Sequence, residues 1–413
     1  MKFNKWTLGL AAVGVVSLAS AARADEKMNA LQTALSNTTI SGYVSASFNW
    51  AIYPGGAQQI GSPSTFIPFQ GPNKQDGFNL DVVKLSISKP QDESPWASGY
   101  QVDLLFGPDA VGYNPSANGT FNGYYSGYSD FAIKQAYVSL RTPIGNGIDW
   151  KIGVFDSPLG YEVFDAGSNP NYTRSIGYAI EPTELTGLLA TYKINDEWSV
   201  SAGVANTLSA GINLRNNESG FGDGAGSDWH KTVMASLAFS APSSWGWAAG
   251  SSMYAGGIYG YTSKTFGYAN DYQANYYAGM TLNTPWKQLT TGFAFDYAYH
   301  FDAMPINVWV LGGYATLKAT DKLSFSARGE YAKATILPSG AGDSPDLIEI
   351  TGTMEYDMWA NVVSRLELRW DHVLDNNDLV AEGANLFSDG GLSGLSKFDR
   401  DSVGLYANVI YKF

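Results

Sequence analysis

The chain has 413 residues, no cysteine and a formal net charge of −13. Without cysteine there is no disulfide-stapled scaffold, no zinc–thiolate centre and no cysteine nucleophile, and the acidity argues against nucleic acid or an anionic lipid surface as a partner. Charged residues make up only 15% of the chain and aromatics 14%, with 26 Tyr and 12 Trp. That balance fits a soluble all-β protein or a transmembrane β-barrel, whose strands turn apolar residues to lipid and polar residues to a wet lumen.

The chain opens with a positive Lys2 and Lys5, then an apolar and small-residue run from Thr7 to Ala21. Ala22-Arg23-Ala24 is a small-x-small cleavage site, so residues 1–24 read as a signal peptide removed before Asp25. The run is too short to stay as a membrane helix, and no later stretch is long and apolar enough for one. Residues 25–38 carry helical spacing at Met28, Leu31 and Leu35 and read as a short periplasmic lead-in.

From residue 39 the pattern changes to segments of alternating character. Sixteen strands are expected, at 39–50, 78–89, 98–107, 130–142, 148–155, 184–194, 197–206, 231–241, 245–258, 270–284, 288–301, 305–318, 322–335, 346–358, 361–374 and 401–413. Their connections alternate long and short, with 302–304 the exception. Several short ones carry turn chemistry, such as Pro143-Ile144-Gly145-Asn146-Gly147 and Asn195-Asp196. A soluble sandwich or propeller has no reason to sort its loops this way, and no repeat of propeller length is present.

The strand faces agree. Phe293, Phe295, Tyr297 and Tyr299 share one face against Ala294, Asp296, Ala298 and His300. Leu366, Leu368 and Trp370 alternate with Arg365, Glu367, Arg369 and Asp371. Ile348, Ile350, Met354 and Tyr356 alternate with Glu349, Thr351, Thr353 and Glu355. A basic residue at the lipid midplane costs about 2–4 kcal/mol, so these charges point inward to water. The expected fold is an all-β, transmembrane, antiparallel up-and-down β-barrel with short periplasmic turns and long extracellular loops. Its last strand alternates through Val403, Leu405, Ala407, Val409 and Tyr411 to Phe413, the final residue. Pairing with the first strand would hold that terminus, with Phe413 in an aromatic girdle at the periplasmic interface.

These residues also resemble a known family. Ser41-Gly42-Tyr43-Val44 looks like the first strand of the β-barrel porins of the OmpL-like group. So do Lys134-Gln135-Ala136-Tyr137-Val138, the stretch from Gly153 to Glu162, and Thr186-Gly187-Leu188-Leu189-Ala190-Thr191-Tyr192. The resemblance covers most of the mature chain. It implies an outer-membrane pore of a Gram-negative bacterium for small hydrophilic solutes, set in lipid and lipopolysaccharide. The terminal Phe413 resembles the signal read by the barrel-assembly machinery. Homotrimers are common among porins, although no interface signature is visible in this chain.

In porins the third loop folds inward and narrows the bore. Here that connection, 156–183, is long enough to be functional and carries Asp156, Glu162, Asp165, Arg174 and Glu181. Wall residues expected to face it are Arg328 and Glu330 on one strand and Arg365, Glu367, Arg369 and Asp371 on another. Such charges would set a field across the pore. The plainer readings are a loop lying over the rim and a wall ladder whose charges neutralise one another. The acidic balance suggests cations or neutral solutes such as sugars.

Neither catalysis nor a cofactor is expected. His230, His300 and His372 stand alone, with no local nucleophile–base motif. Asp375-Asn376-Asn377-Asp378 and Ser388-Asp389-Gly390-Gly391 offer oxygens to calcium but lack EF-hand spacing, so they read as solvated loop. A transporter for apolar cargo would need a slick interior, which the charged inner faces oppose. The sequence also admits a barrel with a closed lumen and adhesive loops, and a secreted soluble binding protein.

Overall fold

In the computed structural model the described residues are 38–53, 74, 76–113, 130–208, 210–213, 231–261, 272–300, 306–336, 346–374 and 401–413. The signal peptide, the lead-in apart from Thr38, the connection at 302–304 and the two candidate calcium loops lie outside them.

Sixteen strands form: β1 Thr39–Tyr53, β2 Gly77–Lys89, β3 Ser98–Phe106, β4 Phe131–Thr142, β5 Ile148–Asp156, β6 Glu184–Lys193, β7 Trp198–Ala205, β8 Thr232–Ser240, β9 Ser252–Tyr261, β10 Tyr272–Asn283, β11 Leu289–His300, β12 Ile306–Lys318, β13 Leu323–Ile336, β14 Asp346–Trp359, β15 Val362–Val373 and β16 Asp401–Lys412. Each pairs with its sequence neighbours, and β1 pairs antiparallel with β16, so the barrel is closed and has no edge. The expected bounds hold to within a few residues at every strand but the ninth. That strand starts at Ser252 because residues Ser243–Ala248 form a 3-10 turn, broken by Gly246 at φ 60°. The spacing of Trp245 and Trp247 mimics strand alternation, but both rings are exposed outside the ladder.

The seam explains the aromatic terminus. Gly42 N–H donates to the Phe413 carbonyl at 2.9 Å, and Phe413 N–H donates back to Gly42 at 2.9 Å. Gly42 is needed here for space. A Cβ on it would lie 2.1 Å from the Lys84 carbonyl oxygen and 2.7 Å from the Phe413 ring. Gly42→Val is therefore expected to splay β1 from β16 and sharply reduce the yield of heat-modifiable barrel in refolding, whereas a normal yield would contradict the tight seam.

The outer face is apolar, and Trp96, Trp245, Trp247, Trp286 and Trp359 stand exposed near the short turns. This is the aromatic girdle that anchors a barrel at a membrane interface. The inner face has two arcs. Strands β13 to β16 and β1 to β4 carry charged and amide side chains inward. Strands β5 to β12 carry a largely apolar set that includes Phe155, Leu189, Met234, Ile258 and Tyr314.

Candidate functional site

The connection between β5 and β6, loop 3 (residues 157–183), runs inside the barrel. Its sequence cannot make a long helix or strand, because Pro158, Pro170 and Pro182 interrupt it and Gly160 sits at φ 118°. Besides a 3-10 turn at Ala166–Ser168, one short α-helix forms, α1 (Ile176–Ile180), capped by Ser175, whose side chain accepts from Tyr178 N–H at 2.9 Å.

On leaving β5 the loop first meets the apolar arc. Leu159 joins the cluster of Phe155, Leu185 and Ile258, and Tyr161 stacks on Tyr314 with centroids 4.1 Å apart. The loop then crosses to the charged arc. There its backbone is held by wall side chains in place of a β-ladder. Glu367 accepts from Tyr172 N–H at 2.5 Å and Thr173 N–H at 2.8 Å. Glu330 accepts from Ile176 N–H at 2.7 Å and Gly177 N–H at 3.1 Å. Arg328 donates to the Thr173 carbonyl at 2.7 Å, Arg369 to the Arg174 carbonyl at 2.6 Å, and Arg365 to the carbonyls of Ala166 and Asn171 at 2.8 and 3.2 Å. Carboxylates thus take the loop's N–H groups and guanidinium groups take its C=O groups. These are charge-assisted bonds that satisfy backbone which has no partner strand.

The wall charges also pair with one another and with the loop. Arg328 contacts Glu162 at 2.8 Å and Glu349 at 3.1 Å, and Arg369 contacts Asp371 at 2.8 Å. Arg328, Glu330, Arg365, Glu367 and Arg369 are buried beneath loop 3 and bonded to it, and Asp371, also buried, holds Arg369. Of the loop's own charges, Glu162 binds Arg328 and also accepts from Ser175 N–H at 2.9 Å. Asp165 binds Lys84 at 3.0 Å and accepts from the Tyr43 hydroxyl at 3.1 Å. Asp156, at the end of β5, binds Lys134. Arg174 is fully buried and folds back onto the carbonyls of Phe164 and Tyr172. Glu181 lies beside Asp296 of β11, and burial, together with that neighbouring carboxyl, holds its own carboxyl well above the usual range.

Several members of this network were not singled out from sequence. Glu349 and Asp296 were placed on inner faces by alternation alone, which gives no sign of their partners. Asp81 accepts from Ser45 at 2.8 Å, Ser47 at 2.7 Å and the Tyr172 hydroxyl at 2.9 Å, tying the loop to β1 and β2. His372 bonds Asp401 at 2.8 Å, and Trp370 donates to the same carboxylate at 2.8 Å. Among the described residues no group of acidic or histidine side chains could hold a metal ion.

A closed sixteen-stranded barrel with an apolar exterior, an aromatic girdle and a charged, loop-crossed lumen is an outer-membrane β-barrel of the porin class. The family described as "putative beta-barrel porin-2, OmpL-like" matches residues 37–413, and the chain belongs to it. It is an outer-membrane protein of the Gram-negative type. No curated protein matches it by sequence. Among solved structures it is similar in fold to OmpF of Salmonella typhi, with a TM-score of 0.55 at 12% identity, covering 91% of this chain and 97% of that one. It is likewise similar to an anion-selective porin of Comamonas acidovorans, with a TM-score of 0.54 at 13% identity, covering 91% and 99%. The outer-membrane channel DcaP of Acinetobacter baumannii gives 0.53 at 12% identity, covering 91% and 97%.

Proposed function

We propose that this porin lets small hydrophilic solutes diffuse passively, with loop 3 as the constriction of its bore. The observation that carries this reading is the fastening of the loop across the lumen by buried wall charges. In this reading Arg328, Glu330, Arg365, Glu367, Arg369 and Asp371 are the fastening. Glu162, Asp165 and Arg174 fix the loop's path, while Asp156 and Glu181 mark its two ends.

Strong cation preference is not required by this geometry. The net acidity belongs to the whole chain, whereas Asp156, Glu162 and Asp165 each have a cationic partner. Neutral solutes such as sugars fit such a balanced constriction. Single-channel recording of the refolded protein in a planar bilayer tests the reading. Persistent steps with a small reversal potential under a salt gradient are expected, and a strongly cation-selective reversal would refute the balanced constriction. The tightness of the loop fastening favours a second reading, a barrel with a closed lumen and loops that act outside. Silence from a folded, heat-modifiable barrel would select it. Recognition of Phe413 by the assembly machinery and assembly as a homotrimer remain parts of the proposal, testable by truncating Phe413 and by crosslinking in the membrane.

A further inference from the structure

We propose that the short-turn half of the lumen, on β4 to β8, holds a subsite for small hydroxylated carboxylates, with Lys151 as partner of the carboxylate. The inference rests on the lumen being a solute path. Lys151 points inward: its register partners are Ser139 and Leu189, while the next residue, Ile152, is 48% exposed on the outer face. Its ammonium lies 4.7 Å from the centroid of the Tyr137 ring.

Lys151 is partly exposed and makes no ion pair with any described residue. The nearby carboxylates are already engaged. Asp103 of β3 is held by Lys84 at 3.2 Å and Gln135 at 2.9 Å. Asp156 is held by Lys134, and Asp149, two residues from Lys151, by Arg141 at 2.7 Å. The ammonium feels Asp156 and Asp103 only at a distance, since both are bonded to other cations, and an anion in the lumen can supply a direct partner.

A row of hydroxyls lies one step nearer the short turns. Thr191, Ser201 and Ser236 are successive register partners on β6, β7 and β8, all partly exposed to the interior. Thr191 and Ser201 share a hydrogen bond of 2.9 Å. Neighbouring strands are about 4.8 Å apart, so the row offers one hydroxyl per strand to a solute lying across it. The Tyr137 ring adds a flat apolar surface beside the ammonium. A bare carboxylate would meet Lys151 but leave the row unused, and a neutral sugar would do the reverse. A carboxylate bearing several hydroxyls meets both.

Gluconate is a suitable probe, with acetate and glucose as controls. Binding is read by saturation-transfer NMR on the folded barrel in detergent, which does not depend on conduction. Gluconate is expected to bind more tightly than either control. Lys151→Gln should weaken it about threefold to tenfold, the size of one partly desolvated ion pair. Lys151→Arg should retain it, and the double change T191V/S201A should weaken it while sparing acetate. Folding of each variant is checked by heat-modifiability. Unchanged gluconate binding in folded Lys151→Gln, or equal binding of gluconate and acetate, overturns the subsite. Gluconate binding by a barrel silent in bilayers would support the subsite and refute the pore instead.

Discussion

Replacing Arg328 with alanine is expected to free loop 3 inside an intact barrel. Arg328 is 1% exposed, and its guanidinium joins Glu162, Glu349 and the Thr173 carbonyl. Its loss leaves three carboxylates, those of Glu162, Glu330 and Glu349, close together without it. Breaking one partner out of a buried ionic cluster costs about 3–5 kcal/mol. That cost falls on the loop, because β13 keeps its backbone ladder to β12 and β14. Hydrogen exchange should show the amides of Tyr172, Thr173, Ile176 and Gly177 losing protection while the strands do not. Single-channel current should become noisier. Arg328→Lys should be intermediate, since an ammonium restores the charge but not the planar fork. Full protection of those four amides in Arg328→Ala would disprove the fastening.

The second large effect concerns pH. The carboxyl of Glu181 is raised well above its ordinary value of 4.5 by burial and by Asp296, with Glu162 and Glu330 adding to the same effect. The seated loop therefore favours the protonated form. Its contribution is complete below the ordinary value and is lost as pH rises toward the raised one. Once ionised, Glu181 faces Asp296, and α1 is pushed from the wall. Loop 3 should therefore loosen from acidic to alkaline buffer, visible as rising current noise. Glu181→Gln keeps a neutral side chain of the same size and should flatten that profile. A variant profile identical to the wild type would show that another group sets the response.

Most of the fold was legible because barrel strands are written by alternation. Thr351, Thr353 and Glu367 face inward and Ile350, Met354 and Leu368 outward, as their parity requires. The ninth strand misled because Trp245 and Trp247 keep parity through a turn whose break lies at Gly246. The residue types of the candidate site were legible for the same reason, but their pairings were not. Glu162 and Arg328 are 166 residues apart in sequence, and nothing local to either marks the other. The apolar arc was also hidden. Leu189, Met234 and Ile258 look like ordinary strand residues until closure shows that they face inward and that Leu159 covers them.

Glu330, Glu367, Arg365 and Arg369 grip loop 3 mainly by its peptide groups, with Arg369 also reaching the Thr173 hydroxyl at 3.4 Å. Every amino acid except proline presents the same N–H and C=O. Substitutions at the exposed Ser168 and Ala179 can therefore leave the loop moored, whereas 171–177 is buried and is held by its own Tyr172 and Arg174 side chains as well. The barrel supplies a socket, and the loop's exposed turns are the part open to change. A family built this way can drift in what it admits by editing a few loop residues, with no compensating change in the strands.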